Sequence, residues 1–523
     1  MPISGRPLHS DIVPLQDLLR PGLDGAADGV ALASADGTMT WREVDDSSTF
    51  LAQHYRELGL EPGDRIASLM PNRSALLTHY LACFKAGLVV TPLNYRYTGP
   101  EIDHALGVSE ASAIVAHTER AEDLKASRLA ADLRLGIISY GADESVGPTF
   151  EAMTSGPTPG IDLDMPDPSA PAAIFFTSGS TGPAKGVTHS AETLSHVFTI
   201  VVDAFELTPD DRFLPASSMS HIGSFMWAFG ALSAGAQVVV AKTFDAGAIL
   251  PLLRTHRPTL MSMVPAALAA LVRDHGVTAD DFSSLRVLRS GADHVAIELE
   301  EEFRRLGVDI DEGYGMTEVG LATQNPIAGP VKEGSIGPPV PGVSISIRTE
   351  DGTEAEVDEV GRVWINTPGC TLGYWENPDA TAEVLQDGWL DSGDLVRRDG
   401  DGYLWFFGRK KQIIVHDGSN ISPLEVEGAL LEHPGVAMAG VVGIHDLVHG
   451  ENVRAYVTVE DGHPTPTSQE LIDFARTRVG YKSPEEVVVL DELPLNATGK
   501  IDRPALVRLA DDHRNPHVAT SSP

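Results

Sequence analysis

The sequence predicts an α/β fold spread over more than one domain, on three observations. The chain has 523 residues, more than a single hydrophobic core accommodates. Short apolar runs of strand length alternate with stretches of helical periodicity from Met1 to about Pro171. Hydrophobic residues make up 42% of the chain, with mean hydropathy near zero, as in water-exposed globular proteins. Repeated helix–strand alternation points to a parallel sheet covered by helices on both faces.

The elements follow in order. Thr38-Met39-Thr40-Trp41 reads as a short strand entering a helix that carries Glu43 and Leu51. Strands are expected at Arg65–Met70, Leu88–Pro92, Ala113–Ala116 and Leu135–Ile138, with a helix over Ser74–Ala86. Gly156–Pro171 is rich in Gly, Pro and Asp and reads as a linking loop. The apolar run Ala172–Phe176 reads as a buried strand. It leads into Thr177-Ser178-Gly179-Ser180-Thr181-Gly182-Pro183-Ala184-Lys185-Gly186-Val187 and then a helical pattern with Glu192, Leu194 and Val197. The expectation is strand, polar loop, helix. Glycines there let backbone N–H groups converge on a ligand, and hydroxyls and a lysine add donors and charge, which suits a polyphosphate. The spacing is not that of a Walker loop, because Ala184 stands at the second glycine position and Gly186 follows Lys185.

Composition narrows the function classes. The net charge of −36, from 38 basic and 74 acidic side chains, argues against a nucleic-acid surface or an anionic membrane as partner. Met1–Arg20 has no unbroken apolar core, so no secretory leader is expected. The longest apolar stretch, Met226–Ala241, is interrupted and falls short of the ~20 residues of a membrane span. Two cysteines, Cys83 and Cys370, make neither a disulfide framework nor a metal site. A cytoplasmic protein, monomer or homodimer, is the expectation.

Four further stretches complete a pattern. They are Gly313-Tyr314-Gly315-Met316-Thr317-Glu318, Trp389-Leu390-Asp391-Ser392-Gly393-Asp394, Gly418-Ser419-Asn420-Ile421-Ser422-Pro423 with Glu425 to Glu427, and Leu493-Pro494 leading to Gly499-Lys500 and Arg503. With the Thr177 loop, and in this order, they resemble the signatures of the adenylate-forming superfamily: acyl-CoA synthetases, aryl-CoA ligases, peptide-synthetase adenylation domains and beetle luciferases. The resemblance runs from about Trp41 to Arg503. There are departures. Pro183 and Ala184 are in inverted order, Ser218 stands where the family has a proline, and Ser224 replaces a common glycine three residues after His221.

The resemblance implies a large N-terminal domain of helix-covered β-sheet subdomains over 1–408 and a hinge at 409–411. A small mobile α/β domain would follow over 412–511, with a disordered tail over 512–523. It implies ATP, Mg²⁺ and coenzyme A as the small molecules handled, with a carboxylic acid. The nucleotide would meet Thr177, Ser178, Gly179, Ser180, Thr181, Lys185, Gly291, Ala292, Glu312, Tyr314, Gly315, Asp394 and Arg409. Tyr314 would face adenine, Thr317 would reach the α-phosphate, and Asp394 and Arg409 would hold the ribose. Glu318 and Thr181 would serve Mg²⁺, for which hard oxygen donors suit. Lys500 is the expected adenylation lysine and Lys411 the hinge residue. Gly418 would form the coenzyme A tunnel, with His449 near the coenzyme A adenine. His221 and Phe225 would line the acyl pocket, and at least two of Phe225, Met226, Trp227 and Phe229 would be helix core. Gly315, where acetate-type relatives carry tryptophan, would leave that pocket deep enough for a medium or long alkyl chain or an aromatic ring. The implied reaction is acyl-AMP formation followed by transfer to coenzyme A. The alternatives are loading of a carrier protein, a luciferase-type oxygenase, or nucleotide binding without catalysis. Ser483-Pro484-Glu485 after Tyr481-Lys482 lacks the basic residues that some aryl-CoA ligases set against coenzyme A phosphate.

Overall fold

The computed structural model describes residues 2–141, 148–155, 159–177, 184–274, 276–291, 295, 297–329, 331–416, 419–446, 449–460, 462–496 and 499–514. The chain divides into two compact units, Met1–Ile345 with Trp364–Asp391, and Ser346–Val363 with Ser392–Pro523.

The larger unit holds two sheets among the described residues. One runs in the order Gly320–Gln324, Ile310–Met316, Val287–Ser290, Leu260–Met263, Arg212–Ala216, Gln237–Val240, Val30–Ser34, Gly37–Thr40. It is parallel except at its two ends. The other runs Gly373–Tyr374, Lys185–Ser190, Pro171–Thr177, Val89–Pro92, Arg65–Leu69, Ala113–His117, Ile137–Tyr140. From Pro171–Thr177 onward it is parallel. Val89–Pro92 and Ala113–His117 are buried at every residue, which is why they read as continuous apolar runs rather than alternating ones. The helix Trp41–Glu57 starts where Thr40 and Glu43 cap each other reciprocally. Ser74–Ala86 stops at Gly87, which takes the left-handed conformation at φ +69°.

One local expectation fails. The Thr177 loop does not open directly onto a helix. A second strand, Lys185–Ser190, comes first and pairs antiparallel with Pro171–Thr177, so that Thr177 lies opposite Lys185. The helix Ala191–Phe205 begins only after it, capped by Ser190. Val187-Thr188 is β-branched and the whole strand after Lys185 is buried, which favours pairing over an early helix start.

A further sheet includes Ser344–Arg348, Gly361–Asn366 and Trp389–Arg398, and the division into units falls within those three strands. Residues 392–408, expected with the N-terminal domain, count with the smaller unit. Asp394–Arg398 is paired with Leu404–Arg409 across the turn at Asp399, which keeps the two strands in one unit. The smaller unit also holds the sheet Ser419–Ile421, Ile414–His416, Gly450–Val459, Val436–Asp446, with Glu486–Val489 beside Gly450–Val459. The helices Pro423–Leu431 and Ser468–Val479 contribute Val426, Leu430, Leu471 and Ala475 to its core. The last helix, Arg503–Arg514, takes in the first three residues of the expected tail, and 515–523 lie outside the described residues. Among the described residues no helix is long and apolar enough to cross a membrane.

Candidate active site

In the larger unit, strand pairing brings several of the expected residues together. Thr177 and Lys185 close the mouth of the hairpin whose loop, with Ser178, Gly179, Ser180 and Thr181, lies outside the described residues. Ala292 and Gly418 also lie outside them. Beside the hairpin runs the short strand Gly373–Tyr374, with Tyr374 opposite Val187. The Trp375 N–H donates to the Gly186 carbonyl at 2.7 Å and the Leu372 N–H to the Thr188 carbonyl at 2.8 Å. The Thr371 N–H donates to the Glu318 carbonyl at 2.7 Å. The 371–375 segment therefore ties the lysine-bearing strand to the turn that carries Thr317 and Glu318.

Side chains repeat that connection. The Tyr374 hydroxyl donates to Glu318 Oε1 at 2.9 Å, and Lys185 Nζ stands 4.8 Å from the centre of the Tyr374 ring. Glu318 is only 6% exposed, so its carboxylate is a buried oxygen donor held by a neighbour, a setting that fits Mg²⁺. Burial first, and the Glu318 charge second, push the Cys370 thiol up to about 12. From the other side, His189 Nε2–H donates to the Thr317 carbonyl at 2.8 Å. His189 is fully buried, and burial lowers it to about 4, so the ring is neutral at pH 7. In sequence, Gly373-Tyr374-Trp375 is family-like and reads as mainly structural, and nothing singles out His189. Tyr374 follows Gly373, whose φ of +125° and tight approach to Thr381 look purely structural, and a lone histidine in a strand carries no signal.

The strand Ile310–Met316 positions Glu312 and Tyr314, both buried, and Glu312 Oε2 accepts from the Val295 N–H at 3.3 Å. Gly291 follows the neighbouring strand Val287–Ser290. Beneath them Arg289 donates to Asp311 at 2.9 Å. A Cβ on Gly313 would lie 2.0 Å from that guanidinium.

Two acyl-pocket expectations fall on closely packed positions. Phe225 is completely buried, with Phe229, Phe175 and Tyr80 ring centres at 4.6, 5.0 and 5.2 Å. Met226, Trp227 and Phe229 are buried too, so all four belong to the core. The helix Ile222–Ser233 is apolar all round, and periodicity could not separate a pocket face from a packed one. Gly315 is glycine for a backbone reason. The pairing with Gly320–Gln324 shifts register between Tyr314 and Gly315, and a Cβ at Gly315 would lie 2.3 Å from the Gly320 carbonyl oxygen. A backbone requirement for glycine thus stands beside the pocket-depth reading. His221 precedes the helix Ile222–Ser233, and its Nε2 lies 3.2 Å from Asn94 Nδ2. Asn94 Oδ1 is taken by the Arg96 N–H at 2.9 Å, so the amide donates and His221 Nε2 accepts.

In the smaller unit, Asp394 is 1% exposed and accepts from Arg409 Nε at 3.1 Å, while Arg409 keeps half its side chain in solvent. Lys411 lies in a short 3₁₀ turn, Lys410–Gln412, that follows directly. Lys500 sits on a hairpin closed by the Leu495–Ile501 bridge. The Asn496 N–H donates to the Lys500 carbonyl at 2.8 Å, and the Lys500 N–H to Asn496 Oδ1 at 3.1 Å. Arg503 anchors that hairpin by donating twice to Glu427, at 2.6 Å to each oxygen. His449 stacks on His416 with ring centres 5.1 Å apart. Lys482 is engaged by Glu425 at 2.6 and 2.7 Å.

The comparisons with known proteins agree on one family. The AMP-binding enzyme family model matches residues 23–375, and the AMP-binding enzyme C-terminal domain model matches residues 425–500. A feruloyl-CoA synthase from Amycolatopsis sp is 35% identical, over 88% of this chain and 92% of its own. An indoleacetate–CoA ligase from Aromatoleum aromaticum is 34% identical, over 86% and 89%. ATP-bound MatB from Rhodopseudomonas palustris superposes with a TM-score of 0.87 at 27% identity, covering 95% of this chain and 99% of that one.

Proposed function

The chain belongs to the family of AMP-binding enzymes, AMP-forming acid–CoA ligases among them, and from that premise we propose that it converts an aromatic or fatty carboxylic acid to its CoA thioester through an acyl-adenylate. The observation that carries this reading is the cluster of Lys185 and Tyr374 on paired strands with Thr317 and Glu318 on the turn bonded to them, a cation and a buried carboxylate beside a hydroxyl. Relatives acting on feruloyl and indoleacetyl groups favour an acid with an aromatic ring.

In this reading the acid's carboxylate attacks the α-phosphorus of ATP, the bond to the β-phosphate breaks, and pyrophosphate leaves. Lys185 and the hairpin loop bind the departing phosphates, and Thr317 donates to the α-phosphate. Donors placed where charge develops lower the barrier most in a water-poor site. Tyr314 packs on adenine with Glu312 and Gly291 at the rim of its pocket. Asp394, held by Arg409, accepts the ribose hydroxyls. Glu318, with Thr181, would hold Mg²⁺, which supplies charge neutralisation on the phosphate oxygens. His221, with Nε2 held by Asn94, borders the acyl group. Lys500 contributes a second cation to adenylation only. The part of the chain beyond the hinge then turns about Lys411, withdrawing Lys500 and presenting the Gly418 loop and His449 to coenzyme A. The thiolate attacks the acyl carbonyl and AMP leaves. Re-using one pocket for two half-reactions calls for such a motion. A cytoplasmic location, where ATP and coenzyme A are at hand, fits this chemistry.

The test is mass-spectrometric detection of acyl-AMP and acyl-CoA from purified protein with ATP and Mg²⁺. The panel holds hydroxycinnamic, arylacetic, benzoic and alkyl acids, each with and without coenzyme A. A thioester from an aromatic acid is the expected result. Acyl-AMP that never passes to coenzyme A would overturn the ligase reading and direct the search to a carrier protein.

A further inference from the structure

We propose that Tyr374 is a positioning residue for the nucleotide's metal–phosphate end, setting Glu318 through its hydroxyl and Lys185 through its ring. The proposal rests on the reading of Glu318 as metal carboxylate and Lys185 as phosphate lysine. It gives a task to a residue in a family-like stretch whose sequence reads as structural.

The geometry gives one side chain two different tasks. The hydroxyl donates to Glu318 Oε1 at 2.9 Å. A carboxylate in use as an acceptor at one oxygen has its rotation fixed, and the other oxygen is then presented in a defined direction. Glu318 is nearly buried, where an ionised carboxylate without donors is costly. The same ring carries the Lys185 ammonium 4.8 Å from its centre, within the range where the face of an aromatic ring attracts a cation. This arrangement keeps the lysine and the glutamate on different parts of one tyrosine. The ring holds the cation near the phosphate loop, and the hydroxyl keeps an oxygen of Glu318 occupied.

The backbone makes Tyr374 a rigid support. Thr371, Leu372 and Trp375 donate N–H bonds to the carbonyls of Glu318, Thr188 and Gly186, and Thr371 Oγ1 donates to the Thr188 carbonyl at 2.6 Å. The Tyr374 N–H donates to Thr381 Oγ1 at 2.9 Å, which anchors the residue to the following helix, Pro378–Val384. A residue with its main chain fixed on both sides transmits orientation rather than following it.

The experiment measures nucleotide binding by titration calorimetry, with Mg·ATP and with ATP in EDTA, on wild type and Tyr374→Phe. Phenylalanine keeps the ring against Lys185 and removes only the hydroxyl. Mg·ATP affinity is expected to fall five- to tenfold while metal-free ATP binding changes less than twofold. Tyr374→Leu, which also removes the ring, is expected to weaken both. In a Glu318→Gln background the added Tyr374→Phe change is expected to have no further effect on Mg·ATP. Equal weakening of both nucleotide forms by Tyr374→Phe, no change in either, or loss of the fold in that variant would each overturn the proposal. A wild-type protein that binds no Mg·ATP would instead sink the proposed function itself.

Discussion

The two units hold their charged machinery in contrasting ways. In the larger one, Glu318 is buried, its main chain is bonded to Thr371, the Thr317 carbonyl is held by His189, and Tyr374 spans from Glu318 to Lys185. In the smaller one, Lys500 is exposed on a short hairpin that owes its place to Asn496 at its base and to the Arg503–Glu427 pair behind it. The first arrangement suits groups that must stay in one place through both half-reactions. The second suits a group needed for one half-reaction and removed for the other. Preorganisation is thus concentrated where charge must be met at fixed positions.

The strongest test of that contrast is Lys500→Ala. Adenylation is expected to fall about a hundred- to a thousandfold, the scale of losing a transition-state donor, while thioester formation from supplied acyl-AMP stays within threefold. Single-turnover assays of each half-reaction would show it. Equal losses in both would erase the distinction between a fixed and a withdrawn group. Next in size is Arg503→Met, which leaves Glu427 buried without its cation. Removing one partner of such a pair costs about 3–5 kcal/mol, expected as a lowered melting transition. The transition should be followed through Trp405 with the other five tryptophans replaced, since those lie in the larger unit.

Acid should discriminate in the opposite direction. His189 and His79 are buried and held down to about 4 and about 3, with burial as the cause. As pH falls through about 6.5 the unfolded chain takes up protons at both positions and the folded chain does not. Their contribution is therefore complete above that pH and is lost as pH drops toward 4, on the order of 3 kcal/mol for His189. Urea unfolding at pH 7.5, 5.5 and 4.5 should show the larger unit's midpoint falling. A pH-independent midpoint would mean these histidines are not neutral in the fold. Smallest is Gly315→Ala, expected to cost about 1–3 kcal/mol as overpacking against the Gly320 carbonyl, with the acid preference unchanged. A stable variant with altered acid preference would restore Gly315 as a pocket residue, and Gly315→Trp is expected not to fold.

The fold was legible because its signals are local. The strands at Arg65–Leu69, Val89–Pro92, Ala113–His117 and Ile137–Tyr140 announce themselves as apolar runs between helical stretches. The Thr177 loop and the Tyr314 strand are contiguous motifs. The partners are another matter. Tyr374 lies 56 residues from Glu318, His189 lies 128 from Thr317, and Arg503 lies 76 from Glu427. Those pairings are made by sheet order, which no window along one chain contains. Phe225 and Gly315 are ambiguous in sequence for a related reason. A fully buried helix has no polar face to orient it, and a glycine in a β-bulge looks the same in sequence as a glycine that opens a cavity.

Cys370 has a consequence for fidelity. An acyl-adenylate is open to attack by any nearby nucleophile, and a cysteine within electrostatic reach of Glu318 could become a rival acceptor to coenzyme A. With its thiol pushed up to about 12, only about one molecule in 10⁵ carries the thiolate at pH 7. Iodoacetamide at pH 8 is expected to spare Cys370, and rapid alkylation would refute this. Burial, with the Glu318 charge adding to it, thereby silences a competing sulfur, and self-acylation is suppressed without removing the cysteine.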